Sequence, residues 1–230
     1  MSTGLASEST SRDIVAGEPQ EVLARSLTVA GYLLAGATAF FFVAFLFAFF
    51  YLRSVDTPAL WKPAGVNPSV GWGTAIVACW VASAVLLRLG ASDQAAGRRS
   101  QWRLKGLLAF LLGLAGLVLQ VLAWAEQGFG PTDDAYASVY VGWTGFLALF
   151  VLGTLFWLET ALATSWRYRN EPFGAAEVPP GHASGDPGES PHDIDNPVHL
   201  NTATVATAAF YWMFLTGIAV VSWVLLYLVA

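Results

Sequence analysis

Every lysine and arginine of this chain lies outside five long apolar stretches, and that arrangement leaves few folds open. The stretches run from Leu27 to Leu52, Val70 to Leu87, Gly106 to Ala125, Ala135 to Leu158 and Leu200 to Ala230. Each reaches or approaches the ~20 residues that a helix needs to cross ~30 Å of hydrocarbon. Inside a bilayer every backbone N–H and C=O has to be paired within the chain, which leaves helices or a closed barrel. No segment alternates polar and apolar residues as a barrel strand does, so the expected fold is all-α, a polytopic membrane bundle of five transmembrane helices.

Charge placement orients the bundle. Arg12, Arg25, Arg88, Arg98, Arg99, Arg103, Lys105, Arg167 and Arg169 fall on one set of alternating segments, and only Arg53 and Lys62 on the other. By the positive-inside rule the N-terminus lies inside and the C-terminus outside. Residues 1–26 read as a polar tail without the apolar core of a signal peptide, and residues 27–230 as the transmembrane domain. An inner loop, 167–198, is rich in proline and acids and is expected to be extended. The net charge of −5 comes from acids in termini and loops and implies no nucleic-acid surface.

The chemistry of the spans is defined by what they lack. His182 and His192 lie in the inner loop and His199 at its end, so no span offers the usual axial ligand for a haem. Their spacing fits no standard metal-ligand pattern. Cys79 and Met213 are isolated on their spans and read as packing residues, and a single cysteine forms no internal disulfide. Two carboxylates sit near span ends, Glu126 and Glu159, and are expected to be paired or solvated rather than to carry protons. Gln120 lies deeper and is expected to tie helices together, because a buried amide needs a partner.

Small and aromatic residues supply the remaining pattern. Gly31, Ala35 and Ala39 on span one, Gly106, Ala109, Gly113 and Gly116 on span three, and Gly142, Gly145 and Gly153 on span four suit close helix approach. Phe40, Phe41, Phe42, Phe45, Phe47, Phe49 and Phe50 are too many for one helix face, so some must meet lipid. Of the ten tryptophans, Trp61, Trp72, Trp102, Trp124 and Trp166 flank predicted span ends, as headgroup-level rings would. Trp80, Trp143, Trp157, Trp212 and Trp223 read as packing residues.

Several segments resemble subunit III of the haem-copper oxidases, in the same order along the chain. Tyr136-Ala-Ser begins a stretch that leads into Thr144, Gly145 and Phe146, similar to the family's Tyr-Ala-Ser start and Thr-Gly-Phe-His frame. Phe40 to Arg53 resembles its Phe-rich helix ending in arginine, and Trp61-Lys-Pro-Ala-Gly65 its Trp-Pro-rich outer loop. Leu117 to Trp124, with Gln120, resembles its Gln-x-x-Glu-Trp segment, and Phe210-Tyr211-Trp212-Met213-Phe214 its Tyr-Trp-His-Phe segment. The family's ionisable positions fall here on Gly36, Ala123, Leu147, Phe150, Ala206 and Met213, all apolar or small.

The resemblance implies a non-catalytic subunit of a terminal oxidase in the cell (inner) membrane of a prokaryote. Such a subunit packs directly against subunit I, with subunit II and other members of the complex nearby. It carries no catalytic, metal or cofactor residues of its own: haem and copper belong to partner subunits. The resemblance also implies a cleft between the first two helices and the others, holding phospholipid. The equivalent subunit of a nitric oxide reductase is a close variant. A small transporter or channel is the contrasting class, disfavoured by the scarcity of midplane polar groups.

Overall fold

The computed structural model describes residues 20–55, 61–63, 65–167 and 197–229. The tail through residue 19 and the segment 168–196, with His182 and His192, lie outside the described residues. Five helices follow one another: α1 (Gln20–Val55), α2 (Val70–Ala95), α3 (Arg99–Glu126), α4 (Ala135–Arg167) and α5 (Pro197–Trp223). The last continues into a π-helical segment, Val224–Val229. All five are long and apolar enough to cross a membrane, and the described residues contain no strand.

The helices outrun the apolar stretches that announce them. With 36 residues α1 is about 54 Å long, and α4 with 33 about 50 Å, both longer than the hydrocarbon is thick. α2 continues eight residues past Leu87, so the segment between Gly90 and Lys105 is mostly helical. What joins α2 to α3 is a tight turn at Ala96, Gly97 and Arg98. Gly97 has φ +77°, the left-handed value glycine tolerates. Around it the Arg98 N–H bonds the Asp93 carbonyl at 2.8 Å and the Gly97 N–H bonds that of Gln94 at 3.1 Å, the paired closure of a Schellman motif. α4 starts on Asp134, whose carboxylate accepts the Ala137 N–H at 2.7 Å as a helix N-cap does.

That short turn makes α2 and α3 an antiparallel pair. α5 packs against α2, α1 and α4, and α3 packs against α4. α1 is held mainly by α5 and secondarily by α4, with no substantial contact to α2. The cleft expected between the first two helices and the rest is therefore not the division seen. α2 is bound to α3 by their turn, which leaves α1 to dock on the opposite side.

Small residues on α3 act as seats for indole rings rather than as a helix-to-helix seam. A methyl on Gly116 would collide with Trp80, and one on Gly113 would meet Leu155 at 2.6 Å and Trp212 at 3.2 Å. Trp102 lies between Gly90 and Gly106, where a Cβ would come within 2.9 and 3.1 Å of its ring. On α1, Gly31 meets Thr207 and Ala35 is buried, as the repeat predicts. Gly145 and Gly153 on α4 have nothing within 4 Å of an added Cβ, so these two glycines are not contact points. The phenylalanines of α1 divide as expected. Phe42 and Phe49 are buried, Phe40, Phe47 and Phe50 are exposed, and Phe41 stacks edge-on against Phe146 and Phe150 of α4.

Candidate functional site

The polar groups of the interior form a ladder of ties between helices, most of them made by indole N–H donors. Trp212 of α5 donates to Ser83 Oγ of α2 at 3.1 Å, and Ser83 in turn donates to the Ala109 carbonyl of α3 at 2.6 Å. Trp143 donates to Ser222 at 2.7 Å, Trp124 to Thr144 at 3.1 Å, and Trp102 to Ser165 at 3.1 Å. On the far side of the bundle Thr38 donates to the Leu34 carbonyl, which leaves its oxygen to accept the Tyr211 hydroxyl at 2.9 Å. Each tie satisfies a group that would cost about 1–3 kcal/mol if left buried and unpaired.

The two ends of the bundle differ. At the basic end, where α2 turns into α3, the buried Asp93 carboxylate holds both Arg98 and Lys105. Arg98 reaches one oxygen through Nε and Nη2 at 2.9 and 2.6 Å, and Lys105 takes the other. Sequence reasoning passed over Asp93 because a lone acid beside basic residues reads as solvated. The signal was its position four residues before Gly97, at the helix C-terminus.

At the opposite, aromatic end, a run of rings connects α1 to α5. Phe49 meets Trp61 edge-on at 5.3 Å, Trp61 meets Tyr136 at 5.8 Å, and Tyr136 lies 6.0 Å from Tyr140. Tyr140 faces Tyr227 at 5.8 Å, and the two hydroxyls share a hydrogen bond of 2.8 Å. The Tyr136 hydroxyl donates to the Leu226 carbonyl at 2.6 Å, a partner for the π-helical segment, whose ladder differs from that of an α-helix. The Tyr227 ring lies against Gly73, where a Cβ would come within 2.5 Å of it. Lys62 sits over the Tyr136 ring at 4.6 Å, within cation–π range. Partial burial, and secondarily the nearby Arg53 guanidinium, push the Lys62 ammonium below its ordinary pKa.

Two hollows lie beside these elements. One is an apolar groove of about 460 Å³ between α1 and α5, lined by Ala39, Phe42, Val43 and Leu46 on one side and Met213, Gly217, Ile218 and Val221 on the other, with Trp143 also on its wall. The second is a polar cavity of about 180 Å³ at the aromatic end. Asn67, Ser69, Trp72, Ala123, Glu126, Gln127 and Tyr140 line it. Glu126 is paired there, accepting the Trp72 indole N–H at 2.9 Å. Glu159 is exposed on α4. Among the described residues no group of His, Cys, Asp and Glu is arranged to hold a metal ion.

The residues singled out from the sequence separate into two sets. Trp61, Gln120, Trp124, Tyr136, Thr144, Tyr211 and Trp212 all join the ring chain or the buried ties. Phe40 and Arg53 point outward, Phe146 is partly exposed while its ring meets Phe41 and Phe45 of α1, and Gly145 is partly exposed. The apolar positions where the family carries ionisable groups are scattered. Leu147 and Ala123 are buried, Phe150 packs against Phe41 and Phe42, Met213 lines the groove, and Gly36 and Ala206 are exposed. Trp61 and Trp102, expected at headgroup level, are instead enclosed by protein, with 6% and 0% of their surface exposed. The extensions of α2 and α4 past the apolar stretches supply the walls around Trp102.

Comparisons with known proteins agree with this frame. The family model described as cytochrome c oxidase subunit III matches residues 6–174. Cytochrome c oxidase subunit 3 of Tachyglossus aculeatus aculeatus is 29% identical over 177 residues, covering 71% of this chain and 67% of the relative. The same subunit of Gallus gallus is 33% identical over 119 residues, 50% of this chain and 46% of the relative. That of Latimeria chalumnae is 28% identical over 158 residues, 65% of this chain and 60% of the relative. The chain thus spans between about half and two thirds of the length of these relatives.

Proposed function

Because this chain belongs to the cytochrome c oxidase subunit III family, we propose that it is a non-catalytic integral subunit of a respiratory terminal oxidase. It packs against the haem- and copper-bearing subunit I, with subunit II and other members close by, in the inner membrane of a prokaryote. Its contribution is to shape. The observation that carries this reading is the interior, where hydroxyls of Thr38, Ser83, Ser222 and Tyr211 tie helices together and the groove between α1 and α5 is lined, among the described residues, by apolar side chains. A transporter site needs convergent polar groups near the membrane midplane. The apolar groove between α1 and α5 suits phospholipid acyl chains, which would fill the space between helices that the protein leaves open. The basic end faces the cytoplasm in this reading, in keeping with the charge of its turn.

Purification in mild detergent through an affinity tag on this chain tests the proposal. A haem-containing complex that consumes oxygen is the expected result. Recovery of this chain as a colourless homo-oligomer, with the oxidase intact elsewhere, would overturn it.

A further inference from the structure

A cavity of about 20 Å³ lies where α2, α3, α4 and α5 meet near the aromatic end. Gln120, Thr144, Trp223 and Tyr227 contribute its polar lining. Trp223 Nε1 is buried without a protein partner, and Gln120 Nε2, also buried, makes no hydrogen bond of good geometry, the Tyr140 hydroxyl being its nearest acceptor. Gln120 as a whole is only 3% exposed and stands beside the Tyr140 hydroxyl. Two unpaired buried donors would cost about 1–3 kcal/mol each, a penalty that native interiors avoid. The hydroxyl hydrogens nearby are committed: Thr144 donates to the Tyr140 carbonyl and accepts the Trp124 indole, and Ser222 donates to the Ile218 carbonyl and accepts the Trp143 indole, which leaves each of these oxygens one lone pair.

We infer that this cavity is a binding site for one ordered water molecule, held by Gln120 and Trp223. The volume exceeds the ~10–15 Å³ that a single water needs, and the site offers the two to four polar partners such a water requires. Its oxygen accepts from the amide and the indole, and its protons turn toward the hydroxyl oxygens of Thr144 and Tyr227. Through the Tyr227 and Tyr140 hydroxyl pair the water connects with the polar cavity at Glu126, so the aromatic end holds a short hydrated column. Inward, Trp80, Leu147 and Ala219 line the cavity with apolar carbon, and none of its lining residues inward of Gln120 is titratable. The inference concerns this chain alone and stands independently of the oxidase assignment.

Solid-state NMR of the full chain in phospholipid vesicles tests it directly, by magnetisation transfer from water to side-chain N–H protons. Transfer to the Gln120 amide and the Trp223 indole should be several-fold faster than to the Trp143 indole, whose partner is Ser222. Equal, slow transfer to all three would overturn the site. Gln120→Met supplies a second measurement, being close in volume and free of polar atoms. With water bound, it removes one anchor and strands the other donor, and the melting midpoint should fall by ~2–4 °C. In a dry cavity it removes an unsatisfied amide, and an unchanged or higher midpoint would refute the inference.

Discussion

Trp212 on α5 and Ser83 on α2 are joined by an indole-to-hydroxyl hydrogen bond of 3.1 Å, and the Ser83 hydroxyl donates in turn to the Ala109 carbonyl of α3. One hydroxyl thus secures three helices at a depth where water cannot substitute. Ser83→Ala should cost about 1–3 kcal/mol, since the Trp212 N–H is left buried and unpaired. In Trp212→Phe the donor goes too, but the indole's packing against Gly113 is lost. In a double-mutant cycle on thermal unfolding, the two substitutions together should cost less than their sum. Strict additivity would show that the bond carries no coupling.

Two glycines make a matched comparison. Gly36 has nothing within 4 Å of an added Cβ, whereas at Gly116 that carbon would collide with Trp80. Gly36→Ala should therefore leave detergent-extracted yield and melting unchanged, and Gly116→Ala should lower both, by an overpacking cost of ~1–3 kcal/mol. The reverse order of damage would mean that the indole seats on α3 are wrongly placed.

A charge at Gly36 is a different matter. Gly36→Glu puts a carboxylate on an exposed face of α1, at a cost of ~2.5–3.5 kcal/mol on insertion-type scales for the middle of a membrane. Loss of the chain from the purified complex is the expected readout. Normal assembly with more durable oxygen consumption would show that the position accepts an ionisable group, against the purely structural role.

Asp93→Asn should loosen the turn between α2 and α3, because Arg98 and Lys105 would lose the shared carboxylate that draws both onto the end of α2 and would be left as two like charges side by side. Limited proteolysis at Gly97 reads this out: faster cleavage in Asp93→Asn than in wild type. Adding Lys105→Met to Asp93→Asn should restore part of the protection by removing one of the two like charges left at the turn.

Orientation is testable with single cysteines in a Cys79→Ala background. Ala96→Cys, at the basic turn, should be shielded from a membrane-impermeant thiol reagent added outside intact cells, and Thr132→Cys should react. The opposite pattern would invert the topology.

The five spans were legible because apolar length and the clustering of cations are local properties of the chain. Helix ends were not: residues 88–95 are polar enough to look like loop, yet α2 continues through them because Asp93 and Gln94 are buried against α3 and the Schellman turn waits at Gly97. Trp102 illustrates the same limit, since only the extended α2 and α4 turn an apparent headgroup ring into a core one. Gln120 was recognised as buried, but which groups it faces depends on Trp223 and Tyr227, a hundred residues away. Nothing local marks Val224–Val229 as π-helical; its partners are the tyrosines of α4.

The placement of α1 has a consequence for how the chain is made. α1 is the first of the five helices to leave the ribosome, while its principal neighbour, α5, is the last. At ~5–20 residues per second, α1 resides in the bilayer for on the order of ten seconds before that neighbour exists. The α2 and α3 pair has no such wait, being closed by a turn of three residues. A helix that must stand alone in lipid has to be content there, and the outward-facing Phe40, Phe47 and Phe50 make α1 such a helix. Assembly therefore ends with a docking event, in which the final helix closes onto a partner inserted at the beginning.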